Sequence, residues 1–414
     1  MRAFLPFLFG VALVLVLTMA AAPNSNDRIY GKVVTHDGDV YEGFIRWDKN
    51  EASWVDVLDG TKRIDRAERS ADQRQRTRTL RIFGFEFEFD DDDDGWQRMG
   101  STRSAGIRFG HLRSLENRGS NRALLTLRSG QEIALGKSST DIGNGVRGIV
   151  VEDERSGAVT LGWRDIDRID FMRVPRGVEP SRSGDRLYGT LTTHSGHTFS
   201  GYICWDVDEV LGDDVLDGED ERGRDREIPF AEIAAIAHNS SRSARVTLKS
   251  GDVLTLRGTN DVNSSNNGIL VLDPHLGQVR VPWSQFDEVV FEEASYTYDY
   301  DRFYTSGPLV GDVSTQSGRT YSGEIVWDND ESHTWEMIDG KMDDIDFDIE
   351  LGLVRSIERL SSQASLVTLF DGREFELRGS NDVNHQNAGI FIVSKYGEDR
   401  IDWDEFEIVR FEKP

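Results

Sequence analysis

Two loops of this sequence are rich in asparagine and aspartate, "GTNDVNSSNNGI" from Gly258 to Ile269 and "GSNDVNHQNAGI" from Gly379 to Ile390. Amide and carboxylate oxygens at this density can bind calcium, which takes about six to eight oxygen ligands. The same side chains also bond to their own backbone and form turns. A third version, "GKSSTDIGNGVRGI", keeps the aspartate and the glycine but lacks most of the asparagines, as a turn required by the fold would. We therefore expect a structural turn, with ion or ligand binding as the alternative, for Asn260, Asp261, Asn263, Asn266, Asn381, Asp382, Asn384, Asn387 and Asp141.

A second acidic pattern, Trp-Asp-x-x-Glu, occurs three times, beginning at Trp47, Trp205 and Trp327. Each tryptophan shares a strand face with the isoleucine of its strand, which predicts that it packs in a core. Each aspartate ends a predicted strand, where it can cap the following turn. Carboxylates around one loop could bind a cation, although a solvated acidic face is the simpler expectation. The candidate metal ligands of this pattern are Asp48, Glu51, Asp206, Glu209, Asp328 and Glu331.

A third acidic segment, "DDDDDG", ends at Gly95. Its residues Asp90, Asp92 and Asp94 match the first half of an EF-hand calcium loop. Ser101 stands at the twelfth position, where a glutamate is needed, and the preceding "FGFEFEF" predicts a strand instead of a helix. We expect an acidic hairpin tip that binds calcium weakly if at all.

Catalytic motifs are not found in the sequence. It has no Gly-x-Ser-x-Gly elbow, phosphate-binding glycine loop, His-Glu-x-x-His motif or cysteine pair. Alternation places Cys204, the only cysteine, on the strand face opposite Trp205, where an exposed thiol is one possibility. A lone thiol without a basic neighbour in the sequence does not indicate catalysis.

The candidate residues lie within a sequence that repeats three times. "YGKVVTHDGDVYEGFIRWDKNE" from Tyr30, "YGTLTTHSGHTFSGYICWDVDE" from Tyr188 and "VGDVSTQSGRTYSGEIVWDNDE" from Val310 open the repeats, and a second half follows each. Alternation with period two, broken by Asp-Gly or Ser-Gly pairs, predicts short antiparallel strands, about five in each half. We predict an all-β chain with a signal peptide at 1–21, repeat 1 at 27–174 with an insertion near 65–105, repeat 2 at 185–292 and repeat 3 at 306–414. The tyrosines and phenylalanines of 293–308 predict that this connection packs between repeats.

The pattern "G-x-x-Y-x-G-x-I-x-W-D" at the start of each repeat resembles the strand pair of Sm-like and SH3-like small barrels, and "LRG" at Leu256–Gly258 and Leu377–Gly379 resembles the second Sm motif. The resemblance implies that each repeat consists of two five-stranded barrels. It does not carry over RNA binding, because "LRG" lies in the second half of the repeat and the chain is acidic. A six-bladed propeller is the alternative architecture.

Composition and the N-terminus indicate the compartment and the class of partner. One arginine, an unbroken apolar run and small residues before Pro23 are typical of a secretory signal peptide, with an uncleaved anchor as the alternative. The 74 acidic and 48 basic residues give a formal net charge of −26. Such a surface repels nucleic acid and anionic lipid and favours cations or basic partners.

These patterns predict an exported, non-enzymatic repeat protein that acts as a binding or scaffold module in or outside the cell envelope. An envelope glycan or a basic protein partner would fit, with no nucleic acid partner and no membrane association after signal cleavage. Calcium is the one cofactor that the loops suggest. The alternative is an extracytoplasmic hydrolase with its site near the repeat 1 insertion, where the symmetry of the repeats is broken.

Overall fold

The computed structural model of the protein describes residues 25–63, 79–82, 85–88, 102–294 and 297–414. Within these ranges the secondary structure consists of β-strands and single turns of 3-10 helix, so the prediction of an all-β chain is confirmed. The described residues include no helix with the length and apolar character needed to cross a membrane. The predicted signal peptide at 1–21 and the acidic residues Asp90, Asp92 and Asp94 lie outside the described ranges.

Repeat 1 contributes the first twelve strands, two of which form a separate hairpin within the insertion. These strands are β1 (Tyr30–Thr35), β2 (Val40–Arg46), β3 (Val57–Arg63), β4 (Thr79–Ile82), β5 (Phe85–Glu88), β6 (Thr102–Arg108), β7 (Leu112–Asn117), β8 (Arg122–Leu127), β9 (Glu132–Gly136), β10 (Ile149–Asp153), β11 (Gly157–Leu161) and β12 (Ile166–Phe171).

Repeat 2 has ten strands: β13 (Tyr188–Thr193), β14 (Thr198–Cys204), β15 (Val215–Glu219), β16 (Asp225–Pro229), β17 (Ile233–Ser240), β18 (Ser243–Leu248), β19 (Val253–Arg257), β20 (Ile269–Asp273), β21 (Gly277–Val281) and β22 (Phe286–Phe291).

Repeat 3 has ten more: β23 (Val310–Thr315), β24 (Thr320–Val326), β25 (Met337–Met342), β26 (Ile345–Glu350), β27 (Val354–Arg359), β28 (Ala364–Leu369), β29 (Glu374–Arg378), β30 (Ile390–Ser394), β31 (Gly397–Ile401) and β32 (Phe406–Phe411).

The three repeats share one antiparallel strand order. In repeat 1 it is β11-β10-β2-β1-β12-β7-β8-β9-β3-β6. The corresponding strands of repeats 2 and 3 pair in the same way, with the first strand of each repeat held by the last, as in β13–β22 and β23–β32. Each repeat is therefore one ladder that runs through both halves of its sequence.

The expected small barrels are not confirmed, because none of the described sheets closes. Strands β6 and β11 end the sheet of repeat 1, and each pairs along one edge only with a described strand. The halves do not separate into barrel modules or propeller blades, since the last strand of each repeat joins the first half to the second. The sequence pattern identified the strand faces but not this exchange between halves.

A glycine in the second strand of each repeat lets two backbones cross closely. A Cβ atom added at Gly43 would lie 1.9 Å from the carbonyl oxygen of Glu152, and one at Gly201 would lie 2.6 Å from that of Leu272. No side chain fits at these distances. The recurrence of glycine at this position therefore follows from the pairing of the second strand with a strand of the other half.

The cores are built from the aromatic residues that the repeats share. Trp47, Trp205 and Trp327 are fully buried, as predicted, and each packs at close to a right angle against a second tryptophan of its own repeat. Burial of a side chain of this kind stabilises the fold by about 3 kcal/mol. Repeats 2 and 3 share one hydrophobic core, and repeat 1 has its own.

The core of repeat 1 is completed by residues from elsewhere in the chain. Tyr298, Tyr300 and Phe303 of the connection between repeats 2 and 3 pack into it, and the Tyr300 hydroxyl donates to the carbonyl of Leu112 at 2.6 Å. The prediction that this connection packs between repeats is confirmed. Cys204 of repeat 2 also lies in this core with 2% of its surface exposed, so the possibility of an exposed thiol is wrong.

Each repeat contacts both of the others. Strand β21 of repeat 2 pairs with β26 of repeat 3, which joins their sheets into one sheet of twenty strands. Between repeats 1 and 2, the buried guanidinium of Arg186 donates to Asp56 at 2.8 Å. Between repeats 1 and 3, Arg108 donates to Glu350. The three repeats are therefore arranged around a common junction and not along a rod.

Candidate functional site

The Trp-Asp-x-x-Glu pattern forms the same tight turn in all three repeats. In repeat 1, the backbone of Trp47 and that of Glu51 exchange hydrogen bonds of 2.7 and 3.0 Å. Asp48 and Lys49 between them have φ angles of 42° and 71°, in the left-handed region. Val207 occupies this region in repeat 2 with a φ of 60°, which is strained for a β-branched residue.

The Asn/Asp loop attaches to this turn. The indole nitrogen of each turn tryptophan donates to the backbone carbonyl of the loop aspartate at 2.9–3.0 Å, in the pairs Trp47–Asp141, Trp205–Asp261 and Trp327–Asp382. The Oδ2 atom of each loop aspartate accepts from a backbone N–H of the neighbouring hairpin at 2.7–2.9 Å, with Asp59, Asp217 and Asp339 as donors. The loop aspartate therefore holds the loop against the turn through its backbone carbonyl and against the hairpin through its side chain.

The turn aspartate is bound by the loop in return. Asp206 accepts from the side chain of Asn260 and from the backbone N–H of Asn267. In repeat 3, Asp328 accepts from the side chain of Asn381 and from the backbone N–H of Ala388. Two motifs that lie more than fifty residues apart in the sequence thus form one hydrogen-bonded unit.

The remaining asparagines of the loop form Asx turns. The Oδ1 atoms of Asn266 and Asn387 accept from the backbone N–H two residues later at 2.9 Å, and Asn263 and Asn384 do the same at 2.7 and 2.8 Å. These contacts are those of a turn that the fold requires. The ligand role that the sequence also suggested for these asparagines stays a prediction.

The turn and the loop together bring three carboxylates into a cluster in repeat 3. Oxygen atoms of Asp328, Glu331 and Asp382 lie within 4.8 Å of one another, and the three residues are 1%, 6% and 4% exposed. Burial raises the pKa of Glu331 well above its usual range, and the neighbouring Asp382 and Asp330 raise it further. The sequence had suggested these residues as two separate features, and the structure makes them one site.

The corresponding carboxylates of the other repeats also influence each other. Burial raises the pKa of Glu209 in repeat 2 to about 9, with Asp261 as the next cause. In repeat 1, burial followed by Asp141 raises the pKa of Glu51 well above its usual range. We call these groups the carboxylate clusters of repeats 1, 2 and 3, and they consist of Asp48, Glu51 and Asp141, of Asp206, Glu209 and Asp261, and of Asp328, Glu331 and Asp382.

A lysine of repeat 1 enters the surroundings of the repeat 3 cluster. The Nζ atom of Lys62 lies 2.6 Å from Glu336 Oε1, 3.5 Å from Glu331 Oε1 and 3.7 Å from Asp330 Oδ2. Burial alone would lower the pKa of Lys62, but these carboxylates, with Glu336 first, outweigh it and raise the pKa.

A cavity of about 570 Å³ lies where the three repeats meet. The hairpin of β3 and β6 in repeat 1, strand β21 of repeat 2 and the hairpin of β25 and β26 in repeat 3 form its walls. Its charged residues are mostly acidic, and they are Asp59, Glu331, Glu336, Asp339, Asp346 and Asp348 against Lys62, Lys341 and Arg280. Its larger apolar residues are Val57, Trp335, Met337 and Phe347.

The carboxylates of the cavity disfavour each other's ionisation. Asp59 is surrounded by protein but its surface is exposed to the cavity. Its pKa is raised to about 8, mainly by burial and further by the negative charges of Asp141 and Asp348. The pKa of Asp348 rises to about 6 through burial and the charge of Asp339, against a hydrogen bond of 3.1 Å from Gln278. A cationic group placed beside this pair would favour the ionised forms of both carboxyl groups.

Sequence reasoning did not find this cavity. The aspartates at positions 59, 217 and 339 recur in every repeat, which was a signal, but only Asp59 and Asp339 line the cavity. Their meeting depends on how the repeats pack, and the pattern within one repeat contains no information about that packing.

The buried thiol does not add a chemical group to the site. Burial raises the pKa of Cys204 well above its usual range, so its reactive thiolate form is disfavoured.

Comparison with protein-family models, with curated proteins and with solved structures finds no match to this chain. The resemblance to Sm-like and SH3-like barrels accordingly gains no support from relatives. The function is therefore inferred from the geometry of the carboxylate clusters and of the cavity.

Proposed function

We propose that this protein is an exported, non-enzymatic binding module that receives a basic segment of a protein partner in the acidic cavity at the junction of its repeats. The observation that carries the proposal is the charge of the cavity, where six carboxylates face three cationic side chains. A lysine or arginine side chain combines an aliphatic stem with a charged end, and it would match walls that are apolar in part and acidic in part.

Excess charge in the cavity favours a cationic ligand. The raised pKa values of Asp59 and Asp348 reflect carboxylates that are crowded and partly removed from water. An ammonium or guanidinium group placed between them would relieve this repulsion. The formal net charge of −26 would also attract a basic partner over longer distances and repel nucleic acid and anionic lipid.

A glycan is the weaker candidate for the same cavity. Sugar rings would need accessible aromatic faces for stacking, but Trp335 is 2% exposed and Phe347 is fully buried. The walls therefore offer carboxylates more than they offer aromatic surface. A basic protein segment is the ligand that this arrangement favours.

Titration calorimetry with a short oligolysine peptide would test the proposal. The variant Asp339→Asn/Asp348→Asn removes two facing carboxylates of the β25–β26 hairpin, which are partners in its register. We expect its affinity for the peptide to fall at least about tenfold, which corresponds to about 1.4 kcal/mol. Added salt should weaken binding to the wild-type protein, because exposed charges are screened.

Repeat 2 provides a matched control for this experiment. Asp217 and Glu227 are register partners in the corresponding hairpin β15–β16, but neither lines the cavity. Asp217→Asn/Glu227→Gln makes the same change in net charge and should bind the peptide as the wild type does. Equal loss in both variants, or no binding to the wild type at millimolar peptide, would exclude the cavity as the binding site.

A hydrolase is the second candidate, and one observation favours it. Asp59 and Asp348 face one cavity with pKa values of about 8 and about 6, and unequal carboxyl groups of this kind can act as acid and base. Strand β3, which carries Asp59, also leads into the insertion of repeat 1. Hydrolysis of glycoside or ester substrates that is lost in Asp59→Asn would favour this candidate over the binding module.

A further inference from the structure

The carboxylate cluster of repeat 3 is close enough to bind an ion between its members. Asp328, Glu331 and Asp382 each offer one oxygen, and these oxygens lie within 4.8 Å of one another. Among the described residues, no other group of three acidic, histidine or cysteine side chains places its ligand atoms within 4.8 Å of one another. A cation about 2.4 Å from each oxygen would satisfy the distances that calcium requires.

One buried oxygen of this cluster and one of the adjacent Asp330 receive no hydrogen bond from an N–H or hydroxyl group of the described residues. Glu331 Oε2 has no hydrogen-bond partner among the described residues, although Glu331 is only 6% exposed. Oδ1 of the adjacent Asp330, whose side chain is 4% exposed, has none either. A buried polar atom without a partner costs about 1 to 3 kcal/mol, so each such atom in a folded protein calls for an explanation.

The neighbouring lysine does not supply the missing partner. Lys62 Nζ is 2.6 Å from Glu336 but 3.5 Å from Glu331, and it approaches Oε1 and not Oε2. A distance of 3.5 Å is longer than an ordinary N–H···O hydrogen bond. Lys62 therefore neutralises part of the surrounding charge and leaves one side of the Glu331 carboxylate to another ligand.

The unpartnered glutamate oxygen occurs at the same position of all three repeats. Glu51 Oε2 and Glu209 Oε2, which occupy the same position in repeats 1 and 2, also have no partner among the described residues. The clusters of those repeats do not meet the 4.8 Å spacing. The repeat 3 cluster is thus the one whose geometry is suited to an ion.

We propose that Asp328, Glu331 and Asp382 bind one hard divalent cation of the calcium or magnesium class. Oxygen-only ligands are what these ions prefer, whereas zinc and copper favour nitrogen and sulfur. The aspartates keep their hydrogen bonds to the loop and use their remaining lone pairs, and Glu331 supplies its free oxygen. The ion would connect the turn after β24 to the loop after β29, at the edge of the cavity that Glu331 also lines.

Terbium luminescence can test this site in the full-length protein after treatment with a chelator. The indole of Trp327 donates to the backbone carbonyl of Asp382 at 3.0 Å, so it lies close enough to sensitise terbium bound in the cluster. We expect saturation at one ion per chain and displacement by calcium or by magnesium. No saturable luminescence, or displacement by neither ion, would overturn the proposal.

Two variants separate the site from general acidity. Glu331→Gln should weaken terbium binding at least about tenfold, whereas Glu209→Gln at the same position of repeat 2 should leave it unchanged. Equal effects of the two variants would refute the assignment to repeat 3. Because Glu331→Gln could alter folding, its circular dichroism spectrum serves as a check.

Lys62→Met gives an independent result that does not rely on loss of binding. Removal of this cation leaves Glu336 and Glu331 without their neutralising neighbour, so terbium should bind several-fold more tightly. Weaker or unchanged binding in Lys62→Met would contradict a cation site at this cluster.

Discussion

At the scale of single residues, the aspartates of the repeats show how position decides the role of one side chain. Asp141, Asp261 and Asp382 accept a backbone hydrogen bond and hold a loop. Asp59 donates its backbone N–H to the first of these but directs its own carboxylate toward the cavity. All four residues are aspartates, but their roles differ. The carboxylates of the loop aspartates accept hydrogen bonds from the protein backbone, whereas the carboxylate of Asp59 faces an open cavity.

Asp59 should make stability depend on pH. Its pKa rises from 3.8 to about 8 on folding, so its contribution is fully present below about pH 4 and is lost as the pH rises toward 8. Asp59→Asn removes the ionisable group and should raise the free energy of unfolding at pH 8.5. We expect an increase of about 1 kcal/mol, because exposure to the cavity screens much of the repulsion.

Urea denaturation at pH 4 and at pH 8.5 measures this effect. The variant and the wild type should be similar at the lower pH and differ at the higher one. Asp217→Asn is the control, since Asp217 lies outside the cavity. A difference between Asp59→Asn and wild type that does not change with pH would contradict the assigned repulsion.

At the scale of strands, the sequence predicted the elements better than their neighbours. Alternation in "YEGFIRW" places Ile45 and Trp47 in the core, and both are fully buried. It could not show that β2 pairs with β10, because a period of two fixes the face of a strand and not its partner. The link between the turn and the Asn/Asp loop, which spans 94 residues in repeat 1, was hidden for the same reason.

The ladder between β21 and β26 depends on one glycine. Gly277 has a φ of 131°, and a Cβ atom there would lie 2.2 Å from the carbonyl oxygen of Asp348 on the paired strand. Gly277→Ala should therefore destabilise the protein by about 3 kcal/mol, as backbone strain and displacement of the partner strand combine. Thermal or urea denaturation of the variant and the wild type measures this loss of stability.

Repeat 3 contains the control for this substitution. Gly397 occupies the corresponding position with a φ of 134°, and a Cβ atom there meets nothing within 4 Å. Gly397→Ala introduces backbone strain without a steric clash, so it should lower the free energy of unfolding by about 1 kcal/mol. Equal losses for the two variants would mean that close contact between repeats 2 and 3 contributes nothing at this position.

At the scale of the whole molecule, the buried contact between repeats 1 and 3 comes from residues that are not repeated. Arg108 and His111 of repeat 1 meet Glu350 of repeat 3 in a site that is almost fully buried. Repeat 2 has Pro229 where repeat 3 has Glu350, as the hairpin registers show. A search for recurring residues therefore finds the modules but overlooks a contact of this kind.

Glu350 should stabilise the assembly in a pH-dependent way. Burial alone would raise its pKa, but Arg108 and His111 outweigh this and lower it from 4.5 to about 2. Its contribution is therefore present above about pH 4.5 and is lost as the pH falls toward 2. Glu350→Gln leaves the Arg108 charge buried without its partner, which should cost about 3 to 5 kcal/mol at pH 7.

Denaturation of the wild type and of Glu350→Gln at pH 7 and pH 3 tests this contribution. The difference between them should be smaller at pH 3, because Glu350 with its ordinary pKa of 4.5 is then protonated in the unfolded wild type but still mostly ionised in the folded one. Glu358→Gln, at an exposed position of the next strand, should stay within about 0.5 kcal/mol of the wild type. A constant difference between Glu350→Gln and wild type at both pH values would show that the carboxylate charge is not what matters.

The aromatic residues that complete the core of repeat 1 also affect the order of events during protein synthesis. Repeat 1 leaves the ribosome first, yet Tyr298, Tyr300 and Phe303 are translated only after all of repeat 2. Domains generally fold as they emerge, beginning with the N-terminal one. Here the first repeat to be made cannot finish its core until the second has been translated, so the order of completion differs from the order of synthesis.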